Sequence, residues 1–178
     1  RSVVLNSLGF TPEGSKIATV LGDKGKVKIM DASTKKMVFS VKTSKSIKQD
    51  DVNQTAYIAD FSSFNKIGNY YLETGKGIKS ITFAIDSNVY DSAFYIAMRG
   101  FYLWRCGVAV EAVYRGDTFK QAACHLEDGW LNYTEFGNKQ KDGTGGWHDA
   151  GDFGKYVVNA GVTMGQLLMA RDNFKPKH

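Results

Sequence analysis

Long apolar runs and arginine-rich blocks are missing from this sequence of 178 residues, and cysteine is nearly so. No uninterrupted apolar run approaches the roughly 20 residues that a membrane-spanning helix needs. The nearest candidate, residues 157–170, is shorter and contains Asn159, Thr163 and Gln166. Residues 1–86 contain no cysteine, so no disulfide can join two sheets there. We therefore expect no membrane partner, and we expect the first part of the chain to be stabilised by apolar packing.

The basic residues also lack the pattern of a nucleic-acid site. The net charge is +5; residues 1–86 hold thirteen Lys and Arg against eight Asp and Glu, whereas residues 87–178 hold ten of each. This asymmetry indicates two units. The lysines of the first part are scattered along alternating segments, without stacking aromatics between them: Lys16, Lys24, Lys26, Lys28, Lys35 and Lys36. A solvated face that protects sheet edges is favoured over a nucleic-acid partner.

Residues 1–86 follow the alternation of β-strands. Seven short runs are rich in β-branched and aromatic residues and are separated by turn residues: 3–6, 16–20, 26–30, 37–41, 55–59, 69–72 and 81–85. Their number and spacing predict an all-β sandwich of immunoglobulin-like type. The aromatics of this part follow the strand alternation, which predicts core packing rather than a row that binds carbohydrate: Tyr57, Phe61, Phe64, Tyr70 and Tyr71.

After residue 86 the apolar period changes to steps of three and four. These steps predict a helix over residues 89–105, capped by Asp86 or Ser87. A glycine-rich loop over residues 107–154 follows, and a second helix is predicted over residues 155–174. The second helix carries an apolar stripe: Val157, Val158, Val162, Leu167 and Leu168.

The second part, residues 87–178, does not contain enough elements for a core of its own. Two helices and one long loop cannot close a hydrophobic core. We therefore predict that this part begins a larger helical domain. A small helical appendage packed on the β-domain is the alternative.

The segment Trp147-His148-Asp149-Ala150-Gly151-Asp152 carries the strongest chemical signal. Its two carboxylates are separated by two small residues, which let a substrate approach the backbone closely. Hydrolysis of a sugar bond with inversion needs a carboxylate that takes a proton from water, opposite an acid that protonates the leaving oxygen. The structural alternative is that Asp149 or Asp152 caps the helix that follows.

Residues 145–159, Gly-Gly-Trp-His-Asp-Ala-Gly-Asp-Phe-Gly-Lys-Tyr-Val-Val-Asn, closely resemble the Asp-Ala-Gly-Asp signature of glycoside hydrolase family nine, the cellulase family with an (α/α)6 barrel. One branch of that family places an immunoglobulin-like domain before the barrel and joins the two through a stretch similar to residues 89–94. The resemblance thus implies an immunoglobulin-like sandwich over residues 1–86, followed by the first helices of a truncated (α/α)6 barrel over residues 87–178.

This resemblance implies inverting hydrolysis of β-1,4-glucosidic bonds in cellulose or related β-glucans. Asp152 resembles the catalytic base and Asp149 the residue that helps position the attacking water. The family's acid is a Glu far beyond residue 178, so we expect the isolated chain to be inactive. The implied partners are a polysaccharide substrate and the remainder of the catalytic domain.

The same resemblance implies a secreted enzyme. The chain starts at Arg1, so a signal peptide removed by processing would not be seen. Two other functions are kept as alternatives: an exo-β-glucosaminidase or chitooligosaccharide hydrolase, and a non-enzymatic carbohydrate-binding or scaffold module.

Two cysteines and two histidines form a second constellation: Cys106, Cys124, His125 and His148. Two sulfurs and two imidazoles are a complete donor set for tetrahedral zinc. The spacing alone favours a disulfide between the cysteines, because it is wider than that of usual zinc fingers. The family resemblance favours zinc, with all four residues as ligands of a structural site, and it implies calcium for the full-length enzyme. His178 is expected to be solvated.

Aromatic side chains crowd the loop that carries the carboxylates: Trp130, Tyr133, Phe136 and Trp147. Sugar rings stack on aromatic faces, so some of these side chains could line a glucan cleft. We expect most of them to form loop core. Trp147, which belongs to the carboxylate motif, is the candidate for substrate binding.

Overall fold

The computed structural model describes residues 2–135 and 137–175, so the expectations for Phe136 and His178 lie outside the described residues. The chain separates into two units, one ending at Ala93 and the other starting at Phe94. The predicted division at residues 86 and 87 stays a prediction.

The described residues of the first unit, 2–93, form eight strands in two four-stranded sheets, and every pair of these strands is antiparallel. The sheet orders are β1-β2-β6-β5 and β4-β3-β7-β8. The strands are β1 (Val3–Leu5), β2 (Ile17–Leu21), β3 (Lys26–Asp31), β4 (Met37–Lys42), β5 (Ile47–Gln49), β6 (Gln54–Asp60), β7 (Gly68–Thr74) and β8 (Phe83–Ile85). The predicted all-β sandwich is confirmed. Seven strands match the predicted runs, and β5 is an additional strand with every residue exposed.

Alternate residues of the strands point into one core shared by both sheets. In β2, Ala18 and Val20 are buried, and their flanking residues are not. Val27 and Ile29 of β3 meet them in the same buried cluster. The predicted core role is confirmed for Phe61, Phe64 and Tyr70, which belong to the buried cluster, and for Tyr57, which packs against it. Tyr71 is also buried, but its ring faces the ammonium groups of Lys35 and Lys79. Apolar burial from both sheets therefore replaces the missing disulfide as the source of stability.

Lys16 corrects the expectation that the lysines of this unit are solvated, because its side chain is 0% exposed. Its ammonium group donates to three backbone carbonyl oxygens, those of Thr11 at 3.4 Å, Pro12 at 2.5 Å and Gly14 at 2.8 Å. A buried ammonium group is tolerated when its donors are satisfied. Lys16 therefore closes the loop between β1 and β2 instead of protecting an edge.

The second unit contains α1 (Asp91–Leu103), which begins at the end of the first unit, then β9 (Val110–Tyr114), β10 (Asp117–Gln121) and α2 (Val157–Phe174). The two strands form an antiparallel hairpin, so the prediction of one uninterrupted loop over residues 107–154 was wrong. The predicted cap of α1 was also wrong. The helix begins at Asp91, and Asp86 instead accepts the Asn88 N–H at 2.7 Å in a preceding turn.

Neither described helix contains a buried residue. The predicted apolar stripe of α2 is open to solvent in this chain, with Val157 89% and Val158 76% exposed. None of the helices in the described part of the chain has the length and apolar character needed to cross a membrane. Exposed apolar faces of this extent are typical of surfaces that are covered by further protein.

Candidate metal centre and carboxylate loop

The structure brings Cys106, Cys124, His125 and His148 together. One ligand atom of each lies within 4.8 Å of the others. Cys106 Sγ is 3.3 Å from His148 Nδ1. Around a tetrahedral ion with zinc-like bond lengths, an edge between sulfur and nitrogen is about 3.6 Å long. The cluster therefore has the donor set and the size to hold one metal ion.

The backbone around Cys106 fixes the position of the cluster. The Cys106 N–H donates to the Gly146 carbonyl at 2.9 Å, and the Gly107 N–H donates to the Cys124 carbonyl at 3.0 Å. Gly107 has φ +83°, and a Cβ there would lie 2.9 Å from the Gly145 nitrogen. A glycine is needed at this close approach of two backbones. The turn after α1 is thus joined to both segments that carry the other ligands.

His125 carries the most direct sign that a ligand is expected. Its Nε2 lies 2.7 Å from the Phe153 carbonyl oxygen, which accepts only from a protonated nitrogen. Its Nδ1 is then an acceptor, and it is buried without a partner. A buried nitrogen without a partner is costly unless something binds it. A metal ion at the cluster would satisfy this atom, so the residues fit the group.

The electrostatics of the cluster favour neutral imidazole. Burial, and then the neighbouring His125, lower the pKa of His148. Burial raises the pKa of the Cys106 thiol, and its hydrogen bond and charge interaction with Cys124 raise it further. Both cysteines are free thiols, so the disulfide alternative is not formed in this structure.

Asp152 lies in a tight loop and does not cap α2. The residue at the N-cap is Tyr156, so the capping alternative for Asp149 and Asp152 was wrong. Asp152 Oδ1 accepts the Gly154 N–H at 3.2 Å, and Oδ2 accepts the Tyr156 hydroxyl at 2.5 Å. The hydrogen bond from Tyr156, and then that from Gly154, lower the pKa of Asp152. Asp152 is therefore an exposed, ionised carboxylate with both oxygens held.

The carboxylate loop, residues 149–154, is closed by hydrogen bonds of its own backbone. The Asp149 N–H donates to the Gly154 carbonyl at 2.8 Å, and the Phe153 N–H donates to the Ala150 carbonyl at 3.3 Å. Phe153 has φ +59°, a conformation that non-glycine residues rarely adopt. The closure places Asp149 and Asp152 on one short loop.

Phe153 links this loop directly to the metal cluster. Its ring stacks on the His148 imidazole with 4.3 Å between ring centres and 15° between planes. Its carbonyl oxygen accepts the His125 Nε2–H bond. The residue next to Asp152 thus contacts two of the four candidate ligands.

Lys155 holds the loop from its other end. Its ammonium group pairs with Asp128 Oδ2 at 2.7 Å and donates to the carbonyls of Gly143 and Gly145. Reasoning from the sequence missed Phe153, Lys155 and Tyr156 as functional positions. Their place directly after the Asp-Ala-Gly-Asp segment was the one signal that pointed to them.

Trp147 is anchored beside the cluster. Its indole Nε1 donates to the Phe101 carbonyl at 2.7 Å. The side chain lines a cavity of about 510 Å³ together with Trp104 and His148. Its role in substrate binding stays a prediction. Of the other loop aromatics, Tyr133 is 83% exposed and Trp130 is also exposed, so neither forms loop core in this chain.

We expect a glycine at position 129 to be required for the fold of the segment that contains Asp128, the ion-pair partner of Lys155. Gly129 has φ +94°, and a Cβ there would lie 1.9 Å from the Lys141 carbonyl oxygen. Because that atom belongs to the backbone, Gly129→Ala should lower the free energy of unfolding by roughly 3–5 kcal/mol. The measurement is urea unfolding followed by tryptophan fluorescence, since all three tryptophans follow residue 93.

Gly116→Ala is the matched control for this prediction. Gly116 has φ +90°, yet a Cβ there would meet no atom within 4 Å. Its replacement should cost only the backbone strain, about 1–2 kcal/mol. Equal losses of unfolding free energy in the two variants would show that the close contact at Gly129 does not contribute to stability.

Comparison with known proteins agrees with these features. Residues 1–78 match the cellulase N-terminal ig-like domain family, and residues 90–178 match glycosyl hydrolase family 9. Over 171 residues the chain is 43% identical to Endoglucanase D of Acetivibrio thermocellus, covering 96% of this chain and 27% of that protein. The chain therefore spans about a quarter of the length of the curated relatives it matches.

Solved structures also match this chain. A metagenome-derived glycoside hydrolase family 9 endoglucanase matches with a TM-score of 0.75 and 32% identity, over 96% of this chain and 33% of that one. A Zn-binding triple mutant of the family 9 endoglucanase J30 matches with a TM-score of 0.77 and 32% identity, over 91% of this chain and 31% of that one. The chain belongs to glycosyl hydrolase family 9, and it carries an immunoglobulin-like domain followed by the first part of the catalytic domain.

Proposed function

We propose that this chain is the first part of a secreted enzyme that hydrolyses β-1,4-glucosidic bonds in cellulose or related β-glucans with inversion. The observation that carries the proposal is Asp152, an exposed and ionised carboxylate held at both oxygens beside Asp149 on one loop. Such a carboxylate can accept a proton from water while keeping its orientation. A polymeric substrate that cannot enter a cell supports secretion.

Each carboxylate has its own part in the reaction. Asp152 takes the proton of the water that attacks the anomeric carbon, and Asp149 helps to hold that water. The acid that protonates the leaving oxygen lies on the opposite side of the sugar ring in an inverting enzyme. That acid belongs to the part of the enzyme beyond this chain.

We propose that the metal is zinc and that Cys106, Cys124, His125 and His148 hold it. Two thiolates and two imidazoles are a typical zinc donor set, and four protein ligands leave no position for substrate. Zinc bound there would supply a structural crosslink between the end of α1, the segment after β10 and the carboxylate loop. Calcium stays a prediction for the longer enzyme.

We propose that the remainder of the catalytic domain covers the exposed apolar faces of α1 and α2. Val157, Val158 and Phe94 are large and apolar, and all three are exposed in this chain. Burying such side chains is worth about 1.5–3 kcal/mol each. Further helices of an (α/α)6 barrel would bury these faces and would bring the missing acid opposite Asp152.

The stereochemistry of the product tests the proposed function. The full-length enzyme should release the α-anomer first from a β-1,4-glucan oligosaccharide, as followed by proton NMR before mutarotation. The isolated 178-residue chain, which lacks the acid, should release no product. Release of the β-anomer first would exclude the inverting mechanism, and activity on chitooligosaccharides alone would favour the amino-sugar alternative.

A further inference from the structure

Tyr156 and Gly154 hold the carboxylate of Asp152 from two directions. The Tyr156 hydroxyl donates to Oδ2 at 2.5 Å, and the Gly154 N–H donates to Oδ1 at 3.2 Å. With one donor on each oxygen, rotation of the carboxylate about its last bond is restricted. The Tyr156 bond is charge-assisted, which makes it the stronger type of hydrogen bond.

The conformation of Gly154 does not explain why a glycine stands there, because its φ lies outside the left-handed region. The limited space around Gly154 explains the glycine instead. A Cβ at this position would lie 2.9 Å from Tyr156 Oη and 3.0 Å from Cε2 and Cζ of the same ring. The missing side chain of Gly154 is what allows the Tyr156 ring to fold back over the loop and reach Asp152.

We propose that Tyr156 is a positioning residue for the base, holding Asp152 Oδ2 so that the remaining lone pairs of the carboxylate face the attacking water. This inference rests on the proposed function, in which Asp152 is the base. Tyr156 touches neither the water nor the sugar in this scheme. It acts through Asp152.

The charges around the pair keep Tyr156 a donor. Its hydrogen bond to Asp152 and the Asp152 charge raise the pKa of Tyr156, and the more distant Asp149 adds to the effect. Lys155, the residue between Gly154 and Tyr156, directs its ammonium group to Asp128 and to the Gly143 and Gly145 carbonyls. The Tyr156 hydroxyl therefore stays protonated through the neutral range while Asp152 is ionised.

Tyr156→Phe in the full-length enzyme tests this inference, because it removes the hydroxyl and keeps the ring. We expect kcat to fall about tenfold, the size of one lost charge-assisted hydrogen bond. KM should change less than about twofold, since the hydroxyl does not contact substrate. The acid limb of the pH profile of kcat/KM should move to higher pH, because Asp152 loses the hydrogen bond that lowers its pKa.

Tyr102→Phe is the matched control. Tyr102 is a half-exposed tyrosine of α1, and its change should leave kcat and the pH profile as they are. A second variant, Gly154→Ala, keeps both Asp152 and Tyr156 but displaces the ring. It should lower kcat and move the acid limb in the same direction. The kcat of the double variant, Gly154→Ala with Tyr156→Phe, should be no lower than that of Tyr156→Phe alone, because both changes break the same hydrogen bond between Tyr156 and Asp152.

The outcomes separate the two proposals. If Asp152→Asn retains near-normal turnover, the proposed base is wrong, whatever Tyr156 does. Asp152→Asn could abolish turnover while Tyr156→Phe has the same kcat and the same acid limb of the pH profile as the control Tyr102→Phe. That result would overturn only the positioning role of Tyr156. A loss of stability in Tyr156→Phe without a moved acid limb would also overturn it, since a packing role predicts that result.

Discussion

Asp152→Asn in the full-length enzyme is expected to lower kcat by about 10²–10⁴-fold, the range that a general base contributes. Asparagine keeps an acceptor for the Gly154 N–H, so the loop should retain its fold. What is lost is the ability to take a proton from water. The measurement is steady-state hydrolysis of a soluble β-glucan, with circular dichroism to show that the fold is unchanged.

The dependence of kcat/KM on pH gives a second test of Asp152 as the base. Because hydrogen bonds lower the pKa of Asp152, the base stays ionised until the pH falls below the ordinary range of an aspartate. The acid limb of kcat/KM should report that protonation. In Asp152→Asn this limb should disappear.

Asp142→Asn is the matched control for Asp152→Asn. Asp142 is an exposed aspartate of the same unit, and its Oδ1 accepts the Thr144 N–H at 3.0 Å, as Asp152 accepts that of Gly154. An asparagine can replace it without loss of this bond, so turnover should change little. Comparable turnover in both variants would leave Asp152 with a purely structural role.

The sandwich could be predicted from the sequence because its strands alternate between a buried and an exposed face. β5 could not, since all three of its residues are exposed and it forms only by pairing with β6. The β9-β10 hairpin was missed because its two-residue turn is Arg115-Gly116, with φ +53° and +90°. An asparagine or aspartate usually precedes the glycine in such a turn.

The candidate site was predictable in its residues but not in its contacts. The four candidate metal ligands and the two aspartates were proposed because their patterns resemble those of a known family, and the structure brings the four candidate ligands together. The roles of Phe153 and Tyr156 depend on how the loop turns back between Asp149 and Gly154, which no local pattern encodes. The prediction that Lys16 is solvated was wrong for the same reason. Its acceptors are carbonyl oxygens of a loop whose path is set by tertiary structure.

Removal of the metal is expected to destabilise the second unit while sparing the first. A metal present at 1,000 times its dissociation constant contributes about 4 kcal/mol, which in a unit of this size corresponds to roughly 15–30 °C in Tm. The 178-residue chain purified without chelator should contain about one zinc per chain. Tryptophan fluorescence should show the lower Tm after chelation, since all three tryptophans lie after Ala93.

Cys106→Ser supplies the internal control for metal removal. Cys106 is 0% exposed, and a serine hydroxyl in its place is a poor ligand for zinc. This variant should already have the low Tm of the chelated protein and should not respond to chelator. Circular dichroism of the β-sandwich should be the same in all three samples, because its core contains none of the four ligands.

Thiol reactivity and hydrogen exchange distinguish a metal centre from the alternatives. Both cysteines should react with a thiol reagent only after chelation, because zinc-bound thiolates are protected. Amide exchange should then rise in the carboxylate loop, since Phe153 contacts both His125 and His148. A Cys106–Cys124 disulfide in mass spectrometry, or an unchanged Tm after chelation, would contradict the metal centre. If exchange stays low around Asp152 while zinc is lost, the loop is held by its own hydrogen bonds and by Lys155 rather than by the cluster.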